Sequence, residues 1–301
     1  MMDYAARLCD ERIAIFLFHG VITTQTHRVR NYTRKHLTAD YFASALRSLL
    51  AAGGMPVSLD DLVAAQAAGE PLPPRAFAVT FDDGFWNNLG VAAPILADLR
   101  IPATVYVTSG FVEFNRMSWI DRIEWAVEQT PSGNLKLPWS ERRFDDDASK
   151  RDVLTDIRTH VKSDHRIEPD VLATDIQAQL GLPETWSSDD PLDRKLTWDE
   201  VRCLAEDPLF TVGGHTHTHA IMSFLNPADL DREIDTSLSF LRSKAGVGSR
   251  HYSYPEGLAH CYSDAVINAL KARGVVCCPT AEDGDNDLTA DLFRLKRIMA
   301  V

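Results

Sequence analysis

A chain of 301 residues, 45% hydrophobic and 25% charged, has the size and composition of a globular protein with one large α/β domain or two small ones. Its 43 acidic residues outnumber 31 basic ones, and the formal net charge of −12 argues against a nucleic-acid binder and against docking on an anionic membrane. No stretch approaches the roughly 20 apolar residues of a membrane span. Residues 1–11 carry no apolar run of signal-peptide length, so the cytoplasm is the expected location. The five cysteines (Cys9, Cys203, Cys261, Cys277 and Cys278) are odd in number and not spaced as in a zinc ribbon; reduced thiols are expected.

In chain order, Arg12 to Phe18 is a short apolar run of the kind that forms a buried strand, ended by His19-Gly20. Ala39 to Ala52 has helical spacing, with Tyr41, Phe42, Ala45, Leu46 and Leu49 on one face and Gly53-Gly54 as the stop. Ser58 can cap a short helix through Ala68. Ala76 to Phe81 is a second buried strand, closed by Asp82-Asp83-Gly84. Val91 to Leu99 is helical, and Ile101 to Thr108 is a third strand. This strand–helix–strand rhythm implies parallel pairing, with chemistry gathered at the carboxyl ends of the strands. From about residue 113 to 207 amphipathic helical segments dominate, such as Trp119 to Glu128 and Arg151 to Val161. They are read as a helical insertion within a single domain spanning 1–301. Strands are expected again at Phe210 to Gly213, Tyr252 to Tyr254, Val275 to Cys278 and Leu295 to Met299.

Two clusters carry chemistry. Asp82 and Asp83 are adjacent carboxylates at a strand end, where mutual repulsion makes a bare pair costly. A cation could bind one and leave the other to take a proton; a plain Asp-Gly turn is the bland alternative. His215, His217 and His219 stand within five residues, after Gly213-Gly214. They would share one side of an extended segment, and His215 and His219 would share a helix face. Two histidines and a carboxylate make a catalytic type of metal site, with a position left open.

Thr80-Phe81-Asp82-Asp83-Gly84 followed far downstream by His215-Thr216-His217-Thr218-His219 resembles the polysaccharide deacetylase family, the NodB-homology group of carbohydrate esterases. Ile101-Pro102-Ala103-Thr104, Tyr252-Ser253-Tyr254-Pro255-Glu256-Gly257 and Leu295-Lys296-Arg297-Ile298 extend the likeness over most of 12–112 and 197–301. The resemblance implies a distorted (β/α) barrel and removal of an N-acetyl group from an amino sugar or polysaccharide precursor. It assigns Asp82 as general base and Asp83, His215 and His219 as ligands of one divalent ion. Zinc is the default; Co2+, Ni2+ or Fe2+ suits the same donors. His217 is read as a loop residue.

Many members supply a histidine acid near the C-terminus, but this chain has none after His260. One branch, acting on poly-N-acetylglucosamine, resembles a circular permutation, and Ile15-Phe16-Leu17-Phe18-His19-Gly20-Val21 is similar to its N-terminal element; His19 is then the acid. Where many members have an arginine after the aromatic residue of the third motif, this chain has Ser253, and Arg250 or Arg297 is a possible substitute for holding the catalytic carboxylate. Tyr254, Pro255, Glu256 and Arg297 are expected near the substrate, with the Glu256 backbone N–H as oxyanion donor. Trp119 is expected there from the insertion. The rival readings are a hydrolase of the same fold that opens a cyclic amide or removes a formyl group, and a non-catalytic carbohydrate-binding relative, which would be expected to lose one of the four site residues. A metallophosphoesterase is disfavoured. Polymer, lipid-linked saccharide and nucleotide sugar all remain open as substrates, and the oligomeric state is not legible.

Overall fold

A computed structural model describes residues 3–301. The strands are β1 (Ala14–Phe18), β2 (Gly20–Ile22), β3 (His36–Thr38), β4 (Met55–Pro56), β5 (Ala76–Phe81), β6 (Ala103–Val107), β7 (Gly133–Leu137), β8 (Ser140–Phe144), β9 (Phe210–Gly214) and β10 (Ile298–Met299). The main sheet is parallel throughout, in the order β10-β1-β5-β6-β9, with β4 beside the start of β5. β1, β5 and β6 are buried along their whole length, which is why they read as continuous apolar runs without alternation.

Beyond β9 the sheet continues as irregular backbone. Single parallel bridges join Gly214 to Tyr252 and His251 to Cys277. Hydrogen bonds from Cys278 N to Leu292 O and from Thr280 N to Leu295 O lead back towards β10 and β1. The result is a distorted (β/α) barrel. The strands expected at Tyr252 to Tyr254 and Val275 to Cys278 are therefore reduced to isolated bridges, and the one expected at Leu295 to Met299 to its last residues.

Helices α1 (Ala39–Ala51), α2 (Leu59–Ala68) and α3 (Ala93–Leu99) lie in the first half. Ser58 caps α2 in a capping box with Asp61, as the sequence suggested. A turn of π-helix, Asn88–Ala92, precedes α3. The segment after α4 (Ser109–Phe114) holds α5 (Trp119–Gln129), α6 (Asp147–Ser163) and α7 (Pro169–Gln179), and it is not purely helical. β7 and β8 form an antiparallel hairpin inside it. Leu135, Leu137 and Phe144 of the hairpin join Ile123, Leu154 and Ile176 in a second core, to which Val29 is added from outside the insertion. Each hairpin strand buries only part of one face, so its charged outer residues (Glu141, Arg142, Arg143) masked it in the sequence. Helices α8 (Trp198–Glu206), α9 (Pro227–Ala245) and α10 (Asp264–Ala272) complete the outer layer. In β9 the two glycines admit aromatic rings: a Cβ on Gly213 would stand 2.4 Å from the Tyr106 ring, and one on Gly214 2.4 Å from the Tyr252 ring.

Candidate active site

The carboxyl ends of β1, β5 and β9 deliver His19, Asp82-Asp83 and His215 to one end of the barrel. All four line a cavity of about 280 Å³, together with His219, Glu256 and, from the insertion, Trp119, Arg158 and Lys162. Of nine non-glycine residues with positive φ among those described, four are Asp83, Thr216, His219 and Glu256. Asp83, His219 and Glu256 line the cavity, and Thr216 turns the chain between its two imidazoles, so backbone strain gathers around this site.

Asp82 is buried, and its two oxygens accept from Arg297 Nη1 at 2.9 Å and Nη2 at 2.8 Å. Ser253 Oγ donates to Oδ1 at 3.3 Å. Burial pushes the Asp82 carboxyl up, but the Arg297 guanidinium, then His215, outweigh it and leave the group below its ordinary range. Arg297 thereby takes the place that the missing third-motif arginine left open. It is fully buried behind Asp82, also donating to Thr80 Oγ1 and Thr280 O, and is not on the cavity wall. The expected substrate contact at Arg297 is corrected accordingly.

Asp83 turns the chain at φ 78°, followed by Gly84 at φ 75°. Its Oδ1 lies 3.2 Å from His219 Nε2 and 3.6 Å from His215 Nε2, yet is a buried oxygen with no well-formed hydrogen bond. The ligand atoms of Asp83, His215 and His219 all fall within 4.8 Å of one another. His215 Nδ1 sits 2.9 Å from the Ser253 carbonyl, which accepts only, so Nδ1 carries the proton and Nε2 keeps its lone pair towards Asp83. Burial holds His215 below the usual imidazole range, whereas His219 is raised because the Asp83 carboxylate close to it outweighs burial. Segment 215–219 is neither helix nor strand. Left-handed turns at Thr216 (φ 59°) and His219 (φ 63°) bring the first and last imidazoles together. His217 goes elsewhere: its Nδ1 meets Ser109 Oγ at 2.9 Å and its ring packs on Phe240.

A buried ionic layer that the sequence did not reveal lies behind Asp83. Lys35 Nζ is 3.1 Å from Asp83 Oδ2 and 3.2 Å from Asp121 Oδ1, and Lys195 Nζ is 3.9 Å from Asp121 Oδ2. Burial acts first on Asp83, pushing it up, but Lys35 and then His219 carry the carboxyl well below its ordinary range. Burial lowers Lys195 to about 8. Lys35 follows β2 in a loop and Asp121 lies in the insertion, so no local pattern links them to Asp83.

His19 is partly buried, and Asn88 Nδ2 donates to its carbonyl at 2.8 Å. Burial pulls its imidazole down to about 4; Asp83 and Asp82 push up, Lys35 and Arg297 down. Glu256 faces the cavity but is ion-paired with Lys162, which holds it near 2 against the effect of burial. Tyr254 and Pro255 are buried and off the cavity wall. Tyr254 donates to Phe293 O at 3.0 Å and stacks on Tyr262, so Tyr254 packs into the core, not onto the cavity wall expected of it.

The sequence model of the family described as polysaccharide deacetylase matches residues 69–278, more than two thirds of the chain and inclusive of Asp82, Asp83, His215 and His219. This chain belongs to the polysaccharide deacetylase family. His19 and Arg297 lie outside the matched span, contributed by the flanking segments. No curated protein sequence matches this polysaccharide deacetylase family member. Among solved structures it is similar to the deacetylase PplD of Streptococcus pyogenes in complex with acetate (16% identity, 97% of this chain and 93% of that one, TM-score 0.62). It is also similar to IcaB from Ammonifex degensii (16%, 98% and 94%, TM-score 0.62). A third likeness is to the BpsB deacetylase domain from Bordetella bronchiseptica (16%, 99% and 97%, TM-score 0.57). At this identity these likenesses show the shared NodB-type barrel.

Proposed function

We propose that this chain is a divalent-metal-dependent deacetylase that hydrolyses the N-acetyl amide of an amino sugar in a saccharide or its precursor, releasing acetate. The observation that carries the reading is the separation of two adjacent carboxylates into different tasks. Asp82 is clamped by Arg297, while Asp83 turns an unpartnered oxygen towards two imidazoles. Two imidazole nitrogens and one carboxylate fit a zinc-type ion, with Co2+, Ni2+ or Fe2+ as alternatives. When bound there, such an ion supplies Lewis acidity that polarises an amide carbonyl and acidifies water.

The chain's own residues do the rest. Asp82, ionised because of Arg297, takes a proton from the water that attacks the acetyl carbon. The Glu256 backbone N–H, on a left-handed turn with Gly257, is the donor assigned to the carbonyl oxygen as it gains charge. His19 is neutral in the resting cavity. To act as acid it first takes up a proton from solvent, favoured by the two nearby carboxylates and by charge developing beside it. It gives that proton to the sugar nitrogen as the C–N bond breaks, while the water proton on Asp82 is released to solvent to reset the base. Water is consumed, and acetate and a free amine leave. Trp119 on the insertion gives the sugar ring an apolar wall.

The test is acetate release from a panel of N-acetylated mono- and oligosaccharides, with and without chelator. Release that stops on chelation and returns with added Zn2+ or Co2+ is expected. Full turnover after chelation, or ring opening of a cyclic amide without acetate release from any saccharide, would overturn the reading.

A further inference from the structure

A second cavity lies against the segment His27-Arg28-Val29-Arg30-Asn31-Tyr32-Thr33-Arg34-Lys35-His36, with a volume of about 350 Å³. Arg28, Arg30, Arg34 and Arg151 line it, with His27 and His36, and no carboxylate does. In a chain with 43 acidic and 31 basic residues, a concave surface of that sign is unexpected from composition. Like charges gathered without a partner repel one another, and an anion between them removes the penalty.

Carboxylates neutralise part of the cluster. Arg28 pairs with Asp147, Arg30 with Asp193 and His27 with Asp190. Arg34 and Arg151 have no carboxylate partner among the described residues. Arg34 lies over the Tyr41 ring, and Arg151 donates to the Arg28 carbonyl. Both are exposed. Two deeply buried residues of the lining also keep an unused nitrogen, Arg30 Nε and His36 Nε2. The His36 tautomer follows from its partner. Asn87 Oδ1 accepts from Val21 N, which makes Nδ2 the amide nitrogen, and Nδ2 donates to Pro191 O and to His36 Nδ1. Nδ1 is therefore an acceptor, and in the neutral ring Nε2 carries a hydrogen without a partner.

We propose that this cavity is a binding site for a phosphate-type oxyanion, held by the forked guanidinium groups of Arg34 and Arg151 with Arg28 and Arg30 beside them. Guanidinium groups match the tetrahedral oxygens of phosphate with paired donors. The site is distinct from the metal-ligand cavity but shares a wall with it. In the turn that leads into β3, with left-handed residues at Asn31 (φ 62°) and Arg34 (φ 58°), Tyr32, Arg34 and His36 line the basic cavity, whereas Thr33 and Lys35 line the other. An occupant bound to Arg34 thus braces the segment that sets Lys35 against Asp83. The proposal does not depend on the deacetylase reading.

The test is calorimetric titration of the full chain with inorganic phosphate and, separately, with glucose 6-phosphate, which carries no acetamido group. Both are expected to bind, and Arg34→Gln/Arg151→Gln to bind at least tenfold more weakly. Tighter binding of the ester would identify a phosphorylated sugar as the occupant; equal affinity would identify the free ion. Binding unchanged in the double variant, no binding by the wild type, or binding lost in His219→Ala but kept in the double variant would overturn the proposal, the last by placing the anion at the metal ligands. The arginine Nε–H resonances of the wild-type chain give a reading that needs no variant. Those of Arg30 and Arg34 should shift on titration, and static signals would refute the site.

Discussion

Replacing Arg297 with Met tests the central feature of the site. The wild-type guanidinium holds both Asp82 oxygens at 2.8 and 2.9 Å, and neither residue is more than 3% exposed. Removing one member of such a pair leaves a buried charge uncompensated, at about 3–5 kcal/mol. With an unfolding entropy of about 2.1 cal/mol/K per residue, 301 residues lose ~1.6 °C of Tm per kcal/mol, so the variant should melt ~5–8 °C lower at pH 7. The pH dependence gives the sharper reading. In the wild type the folded-state pKa of Asp82 is depressed, so the pair contributes stability above the unfolded carboxyl range and loses it as pH falls through the lower folded value. In the variant, burial acts without its counterweight and raises Asp82, so the folded state takes up a proton before the unfolded chain does. The stability gap should be full near pH 7 and narrow on acidification, and the acid limb of kcat/KM should move to higher pH because a base must be ionised. Thermal melts and pH–rate profiles of Arg297→Met and Arg297→Lys would check this, the lysine being expected to restore charge but not the two-point hold. A gap of the same size at pH 5 and pH 8, with the acid limb unmoved, would refute the argument.

His19→Ala should lower kcat by roughly 10²–10⁴-fold with metal content unchanged by elemental analysis, since an amine leaves poorly without a proton; a normal kcat would rule out its role as acid. His219→Ala should lose the bound ion while His217→Ala keeps it, because His217 is turned towards Ser109; the opposite pattern in metal analysis would reverse the ligand assignment. Gly20→Ala would place a Cβ 2.0 Å from His36 Nδ1 and 2.7 Å from Asn87 Oδ1, so denaturant unfolding should show a loss of about 1–3 kcal/mol. A Gly20→Ala chain as stable as its parent would contradict the packing around β2.

Taken by itself, the sequence pattern determined the parallel pairing of the first strands and the identity of their polar ends, while the barrel closure was only what the family resemblance implied. β1, β5 and β6 are buried on both faces, so they appear as unbroken apolar runs, and the first polar residues after β1 and β5 fall at the carboxyl ends. It also marked Asp82, Asp83, His215 and His219, because adjacent carboxylates and closely spaced imidazoles are chemically conspicuous wherever they fold. Other features were decided only by tertiary structure. Arg297 reaches Asp82 across 215 residues of chain, and Lys35 and Asp121 meet Asp83 from a loop and an insertion, so no spacing rule records those contacts. Tyr254 and Pro255 stand beside a residue that lines the cavity yet turn inwards, since a change in backbone direction at Glu256 (φ 61°) is not written in residue type. The strands at 252 and 277 shrink to single bridges, and the charged hairpin of the insertion forms, for the same reason. Hydrophobic pattern specifies which residues are buried, but hydrogen-bond partners and the approach of distant charges are set by how the closed barrel positions its ends.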